Sequence, residues 1–445
     1  MRRYRISQRQ FGWLIVSYLV TSAIINLPQQ LSRIAAQDAW LTQWFPLCYG
    51  ICVCYVFYRL AKLFPGKNFF EISTELAGKW GGGFLKLIFL LHMWFIFARD
   101  SMLFMGFIKT NLLLRTPYEI TLLLLFIVLV YYGKTSVEVS ARVNDIFFVF
   151  LALMVFALPL LLSNEMSITQ LEPSVVEPAG DIGLAGLMSA SYYGDIVAFA
   201  AFLPGITNPK SLLAAFRHGL SLTVLLITWL IATGITVLGA DIMAKENFPT
   251  YAMVQQIHIT DFLDRVEIFE FSIYFPSFVI NLTITFFAVL IGLTSFTKSN
   301  NYQFYSRSAG LFILLTCEFA FSGTPDVAIF ANYGFPVYMY AVQPIGLLIL
   351  LLLAWRKSKP SDTAAGQRTE QEKKSERSWR IWMRVTHLWI LFGLVCIVAG
   401  MCLSKDYQWA ARICAGGYAV SLFGTVISTY MEQKRSIEQQ TGSAA

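Results

Sequence analysis

The residues best placed to do chemistry are Arg99 and Asp100, two adjacent ionisable side chains in the middle of the apolar stretch Leu85 to Ile108. Such a pair is costly in a hydrocarbon setting, so a helix that carries it turns it toward a bundle interior. Asp100 suits a proton or cation role, and Arg99 serves equally well as a structural partner for a carboxylate elsewhere. Successive residues on a helix point about 100° apart, so the two can find separate partners. His92 lies seven residues before Arg99 on the same face, either on one polar route with it or as a packing histidine. Asp195 is a second intramembrane acid. It follows Ser189-Ala190-Ser191-Tyr192-Tyr193-Gly194, a small, polar interruption of an apolar run in which Gly194 relaxes the backbone. Asp195 then falls in the first turn of the resumed helix, where the dipole favours a negative charge, or simply caps that turn.

A third constellation, Glu267, Glu270, Tyr274, Ser277, Asn281 and Thr285, repeats at steps of three and four and so occupies one helical face. The opposite face carries Phe271, Val279, Leu282 and Phe286. Such a stripe lines a cavity or permeation route, or else hydrogen-bonds neighbouring helices as packing. Glu318 sits near the outer end of another apolar run, where it can snorkel to water. Tyr338, Tyr340 and Gln343-Pro344 read as a kink with aromatic filling. His92, His218, His258 and His387 are too far apart to suggest a metal site, and no phosphate loop or nucleophile elbow is present, so neither a cofactor nor enzyme chemistry is expected.

These residues need a membrane scaffold to position them. Hydrophobic residues make up 56% of the 445 and charged residues 14%, with 37 Phe and 11 Trp, far from the balance of a soluble domain. With about 20 apolar residues per span, about twelve segments qualify: 11–34, 43–61, 85–108, 119–133, 144–163, 184–204, 214–239, 267–292, 308–323, 332–355, 383–403 and 409–431. The fourth and ninth are short. All seven cysteines fall within spans and read as apolar packing residues. The first span continues past Pro28 without a cleavage motif and reads as a retained helix. With the N-terminus inside, most of the 34 Lys and Arg fall on the cytoplasmic side, notably Arg2, Arg3, Arg5, Arg9 and the cluster from Arg356 to Arg384. Both termini are therefore expected in the cytoplasm, and the net charge of +7 needs no nucleic-acid partner.

The chain divides into a ten-helix core over 1–355, a charged linker over 356–382, two more helices over 383–431, and a cytoplasmic tail over 432–445. The linker is too polar to fold alone and is expected to be mobile. Residues 164–183 and 240–266 form long external stretches, and Tyr251 to Leu263 alternates in a way that suits a short interfacial helix. Pro28 and Pro204 close the first and sixth spans 176 residues apart, an echo that suggests repeats over about 6–163 and 184–355. Five helices followed by five is the arrangement of inverted-repeat transporters, whose first helix in each half is interrupted at mid-membrane. Here the interruptions are expected at Val20-Thr21-Ser22-Ala23 and at Ser189 to Asp195.

A series of motifs runs along the chain: Ile6-Ser7 and Gln10-Phe11, Gln37-Asp38-Ala39-Trp40-Leu41, Leu63-Phe64-Pro65-Gly66-Lys67, and Leu76-Ala77-Gly78-Lys79-Trp80. Val137 to Arg142, Tyr193-Gly194-Asp195 with Leu203-Pro204, and Arg265-Val266-Glu267 continue it. Together these segments resemble the spore germination permeases, the B subunits of GerA-type germinant receptors in the amino acid/polyamine/organocation superfamily. The family typically has Glu where this chain has Asp195, and usually ends after ten helices. The resemblance implies an all-α polytopic membrane protein with a LeuT-like 5+5 inverted-repeat core plus two C-terminal helices. It also implies a spore inner-membrane receptor subunit that senses an amino acid or similar germinant with A-type and C-type partner subunits. Thr21, Ser22, Ala23, Tyr193, Gly194 and Asp195 would then meet the ligand, with Asp100, Tyr274, Ser277 and Asn281 walling the pocket. His92, Arg99, Asp100 and Asp195 are candidates for an ion or proton pathway. The rival expectation is an amino acid:proton symporter of the same superfamily, in which Asp100 or Asp195 titrates.

Overall fold

A computed structural model describes residues 6–257, 266–297, 301–357, 370–404 and 407–442. Twelve principal helices appear: α1 (Gln8–Ala35), α2 (Trp44–Leu63), α3 (Phe69–Asn111), α4 (Tyr118–Tyr132), α5 (Val137–Leu161) and α6 (Ala179–Tyr193). They continue as α7 (Pro209–Leu238), α8 (Val266–Thr294), α9 (Ser306–Ala320), α10 (Phe335–Lys357), α11 (Glu370–Leu403) and α12 (Gln408–Gly442). Among the described residues there is no strand. Among the described residues nine helical runs are long and apolar enough to cross a membrane, the first of them joining α1 and α2. Helices α4 and α9 have 15 residues each. At about 1.5 Å per residue they fall short of a hydrocarbon core about 30 Å thick, as their short apolar runs lead one to expect.

Local signals explain where several helices start. Ser7 accepts from Gln10 N at 3.2 Å while Gln10 Oε1 accepts from Ser7 N at 3.1 Å, a capping box at the head of α1. Asn68 and Glu71 do the same for α3. Helix α3 begins well before its apolar run and bends at Gly78, whose φ of +72° few other residues tolerate. The segment Leu76 to Trp80 therefore lies on a kinked helix.

Helix α1 also departs from expectation. It is not interrupted at Val20 to Ala23 and runs past Pro28 to Ala35. The small polar residues stay within the helix because Thr21 Oγ1 donates to the Ser17 carbonyl one turn back, at 2.7 Å. Pro28 has no N–H for the Ile24 carbonyl, which accepts instead from Thr250 Oγ1 at 3.3 Å. The sixth span does break. Helix α6 gives way at Gly194 to twelve residues of 3-10 helix, Gly194–Gly205, with Asp195 in its first turn. That is long for a geometry that rarely exceeds 3–4 residues and often marks a hinge.

Helix α1 is the hub, buried on nearly every side and packed on α5, α6, α7 and α8. Helix α3 packs on α8 and α10, which brings Arg99 and Asp100 to the inner faces of α1 and α6. Helices α11 and α12 form a hairpin seated on α7. The start of α11 falls within the stretch read as linker, and residues 358–369 lie outside the described residues. Helix α12 continues to Gly442, so the stretch read as a tail over 432–445 is helical for most of its length. Of the expected interfacial helix, Pro249–Val254 is helical, and 258–263 lie outside the described residues.

Candidate functional site

The site grows from Arg99. Its Nη2 donates to Asp195 Oδ2 at 2.5 Å and to Ser22 Oγ at 3.0 Å, and its Nε donates to Asp100 Oδ1 at 2.8 Å. Ser22 in turn donates to Asp100 Oδ1 at 3.0 Å. One guanidinium thus ties together α1, α3 and the first turn after α6. Arg99 and Asp195 are 0% exposed and Asp100 2%. Two carboxylates against one guanidinium leave one formal negative charge when all three are ionised. In addition, Arg99 Nη1, Asp100 Oδ2 and Asp195 Oδ1 have no hydrogen-bond partner among the described residues. A buried polar atom left in that state is costly, and each member of the cluster holds one.

Aromatic and amide side chains enclose this cluster. The Arg99 guanidinium lies 4.6 Å from the centre of the Tyr192 ring and 4.3 Å from that of Phe335. Tyr192 Oη accepts from Asn26 Nδ2 at 3.1 Å, and the same amide donates to Asn332 Oδ1. Gln30 Nε2 donates to the Asn332 carbonyl at 2.7 Å. Beyond this layer, toward the end of the bundle away from the N-terminus, lies a cavity of about 680 Å³ with Asn26, Gln29, Lys109, Glu119 and Glu318 in its wall. The layer of Asn26, Tyr192 and Asn332 therefore stands between an open vestibule and the charged centre.

The other expected residues divide into several groups. Ser22, Arg99, Asp100 and Asp195 come together. His92 is one ring removed: it stacks on Phe335 and Tyr338 with centroids 5.8 and 5.6 Å away, and neither ring nitrogen has a partner among the described residues. Thr21 and Ala23 are buried on α1, but Thr21 contributes its carbonyl, which accepts from Tyr274 Oη at 2.6 Å. Tyr193 points elsewhere, donating to Gln43 Oε1 at 3.1 Å. Tyr192 takes the place expected of Tyr193, with its ring centre 4.6 Å from the Arg99 guanidinium. Gly194 lets Gln343 approach: Gln343 Nε2 donates to its carbonyl at 2.9 Å, and a Cβ there would meet Gln343 Oε1 at 2.7 Å.

The polar stripe of α8 is largely consumed by α1. Asn281 Nδ2 donates to the Tyr18 carbonyl at 2.6 Å, and Thr285 shares a 2.9 Å hydrogen bond with Tyr18 Oη. Ser277 turns back to its own helix, donating to the Ile273 carbonyl at 2.9 Å. Only Glu267, Glu270 and Tyr274 reach a small, largely apolar cavity with Ile24, Phe107 and Tyr251. Three of the six stripe residues thus bond α1 and three line this cavity, Tyr274 doing both.

Two features escaped sequence reasoning. Asp38 accepts from the N–H groups of Val175, Val176 and Glu177 at 2.6, 2.8 and 3.0 Å, pinning the 164–183 stretch to the turn between α1 and α2. Arg217 on α7 pairs with Glu432 on α12 at 3.5 Å, with both side chains buried. Nearby, Gln8 Nε2 donates to the Ser211 carbonyl and to Ser436 Oγ, and Gln433 Nε2 donates to the Gln8 carbonyl. An ionisable residue inside the span 214–239 was the available signal for Arg217.

Comparison with known proteins agrees with this geometry. The structure resembles Mhp1, a nucleobase-cation-symport-1 family transporter in a closed conformation with bromovinylhydantoin bound, at TM-score 0.60 and 11% identity, covering 99% of this chain and 94% of that one. It also resembles a manganese transporter of Eremococcus coleocola, at TM-score 0.53 and 13% identity, covering 97% and 98%. At these identities the likeness is one of fold: an all-α, LeuT-like polytopic membrane protein. Spore germination protein KB of Bacillus subtilis (strain 168) is 22% identical over 368 residues, which are 81% of this chain and 97% of the relative. The putative spore germination protein YfkT of the same strain is 23% identical over 350 residues, 77% and 94%. The model of the spore germination protein family matches residues 5–321. By its sequence the chain belongs to the spore germination protein family, and with this fold it is a transporter-like membrane protein of germination.

Proposed function

We propose that this protein is the ligand-binding, transporter-like subunit of a nutrient germinant receptor in the spore inner membrane. Both termini would lie in the cytoplasm, and A-type and C-type subunits would be its partners. The germinant is a small amino acid or a similar solute. The observation that carries this reading is the buried cluster of Arg99, Asp100 and Asp195, with one unused polar atom on each side chain. A zwitterion offers the matching groups, an ammonium for the free carboxylate oxygens and a carboxylate for Arg99 Nη1. Because the cluster bridges α1, α3 and α6, ligand entering it competes with contacts that hold those helices together. It therefore binds one arrangement better than another, which is the requirement for a conformational signal.

The decisive experiment is complementation. A strain lacking this gene is expected to lose its response to at least one amino acid germinant. The wild-type gene restores that response, and Asp195→Asn, expressed to the same level, does not. Full germination by the deletion strain with every nutrient, in a background without paralogues, would sink the proposal.

A second reading, an amino acid:proton symporter, draws support from the free oxygens of Asp100 and Asp195, either of which can take a proton. Purified protein in liposomes separates the two. Uptake driven by a pH gradient without partner subunits favours the symporter, and binding without uptake favours the receptor.

A further inference from the structure

The vestibule beyond the Asn26, Tyr192 and Asn332 layer has a chemistry of its own. Its cavity of about 680 Å³ is within the range of small-molecule sites. Three charged side chains line it: Glu119 from α4, Glu318 from α9 and Lys109 from α3. The two carboxylates outnumber the ammonium, whose nitrogen lies 5.9 Å from the centre of the Tyr118 ring. Gln29 of α1, only 3% exposed, also lines this cavity, and its Nε2 has no acceptor among the described residues. A buried amide donor without an acceptor costs stability unless something supplies one.

We propose that this vestibule is a binding site for a small solute that carries an ammonium group and, at its other end, a hydrogen-bond acceptor. The ammonium sits between Glu119 and Glu318, and the acceptor, a carboxylate, carbonyl or hydroxyl oxygen, receives the Gln29 amide. Charge selects the class. An anion without an amine meets two carboxylates against one lysine, and a neutral polyol leaves those carboxylates without a cation. Glu318 lies near the end of the short helix α9 and Glu119 in the first turn of the short helix α4, so both acids sit at the rim of the bundle, within reach of water. The site is separate from the Arg99 cluster and does not depend on ligand reaching it.

The test is direct binding to the full-length protein in lipid nanodiscs. The probes are the common amino acids, ethanolamine, and the amine-free analogues propionate and lactate. At least one amine-bearing probe is expected to bind, its affinity falling about tenfold or more in the double variant Glu119→Gln/Glu318→Gln and several-fold in Gln29→Leu. Propionate and lactate should bind neither the wild type nor the variants. Three results overturn the proposal: no amine-bearing probe binds the folded protein, the double variant binds as the wild type does, or the amine-free analogues bind equally well. Binding that is lost in Asp195→Asn but unchanged in the double variant overturns the vestibule site and leaves the Arg99 site standing. Since both glutamates line open space and carry no hydrogen bond in the fold, their replacement should leave thermal stability unchanged.

Discussion

Arg99 on α3 reaches Asp195 at 2.5 Å at the place where α6 stops being an α-helix. The contact joins a residue well inside the part of α3 that follows its bend at Gly78 to one in the first turn of a 3-10 segment, so any change in the winding of that segment is felt at the guanidinium. It makes Arg99 the residue on which the arrangement of three helices turns.

Removing the guanidinium leaves Asp100 and Asp195 buried together without a counter-charge. Arg99→Met is expected to lower stability by about 3–5 kcal/mol, as loss of one partner of a buried pair does. The triple replacement Arg99→Met/Asp100→Leu/Asp195→Leu should recover much of that stability while remaining inactive. Thermal unfolding in nanodiscs and spore germination assays read the two effects separately.

The amide layer should control access. A cysteine placed at Ser22 is expected to resist a small hydrophilic thiol reagent added from the vestibule side, because Asn26, Tyr192 and Asn332 cover it. Combining it with Asn26→Ala should raise the labelling rate by about tenfold or more, the factor that about 1.4 kcal/mol of lost closure provides. Equal labelling in both backgrounds would show that the layer is not a barrier.

The seam between α8 and α1 should behave as packing. Asn281→Leu and Tyr274→Phe each remove one hydrogen bond to an α1 carbonyl, and each is expected to cost about 1 kcal/mol. Thermal unfolding measures that loss, and the ranking of germinants should stay that of the wild type.

The C-terminal hairpin should be inseparable from the core. Glu432→Ala strands Arg217 in a buried position and is expected to destabilise by about 3–5 kcal/mol, whereas Arg217→Met/Glu432→Leu should regain most of it. Unfolding curves of the single and double variants provide the comparison. Chains truncated at Lys357 would expose the polar face of α7 and should fail to accumulate.

Much of the site could be read in the chain because charge in an apolar run is a strong signal. Arg99, Asp100 and Asp195 stood out for that reason, and they meet. What could not be read depended on helix winding. A sequence shows that Ser22 and Gly194 interrupt hydrophobicity, but not that α1 absorbs its polar residues into its own carbonyls while α6 changes pitch. For the same reason Tyr193 was the expected contact and Tyr192 is the actual one. The α8 stripe shows the opposite limit: its period was plain, yet spacing alone does not tell a wall facing solute from one facing another helix. Glu432 was hidden by position, since an acid just past the end of an apolar run looks like the start of a solvated tail.

Arg99 has one more consequence. Its charge is covalently attached to α3, so the cation that closes α1, α3 and α6 together cannot diffuse away or be exhausted. The contact between these three segments therefore needs no bound sodium ion to persist, and a solute that entered the cluster would have to compete with a tethered guanidinium for Asp100 and Asp195.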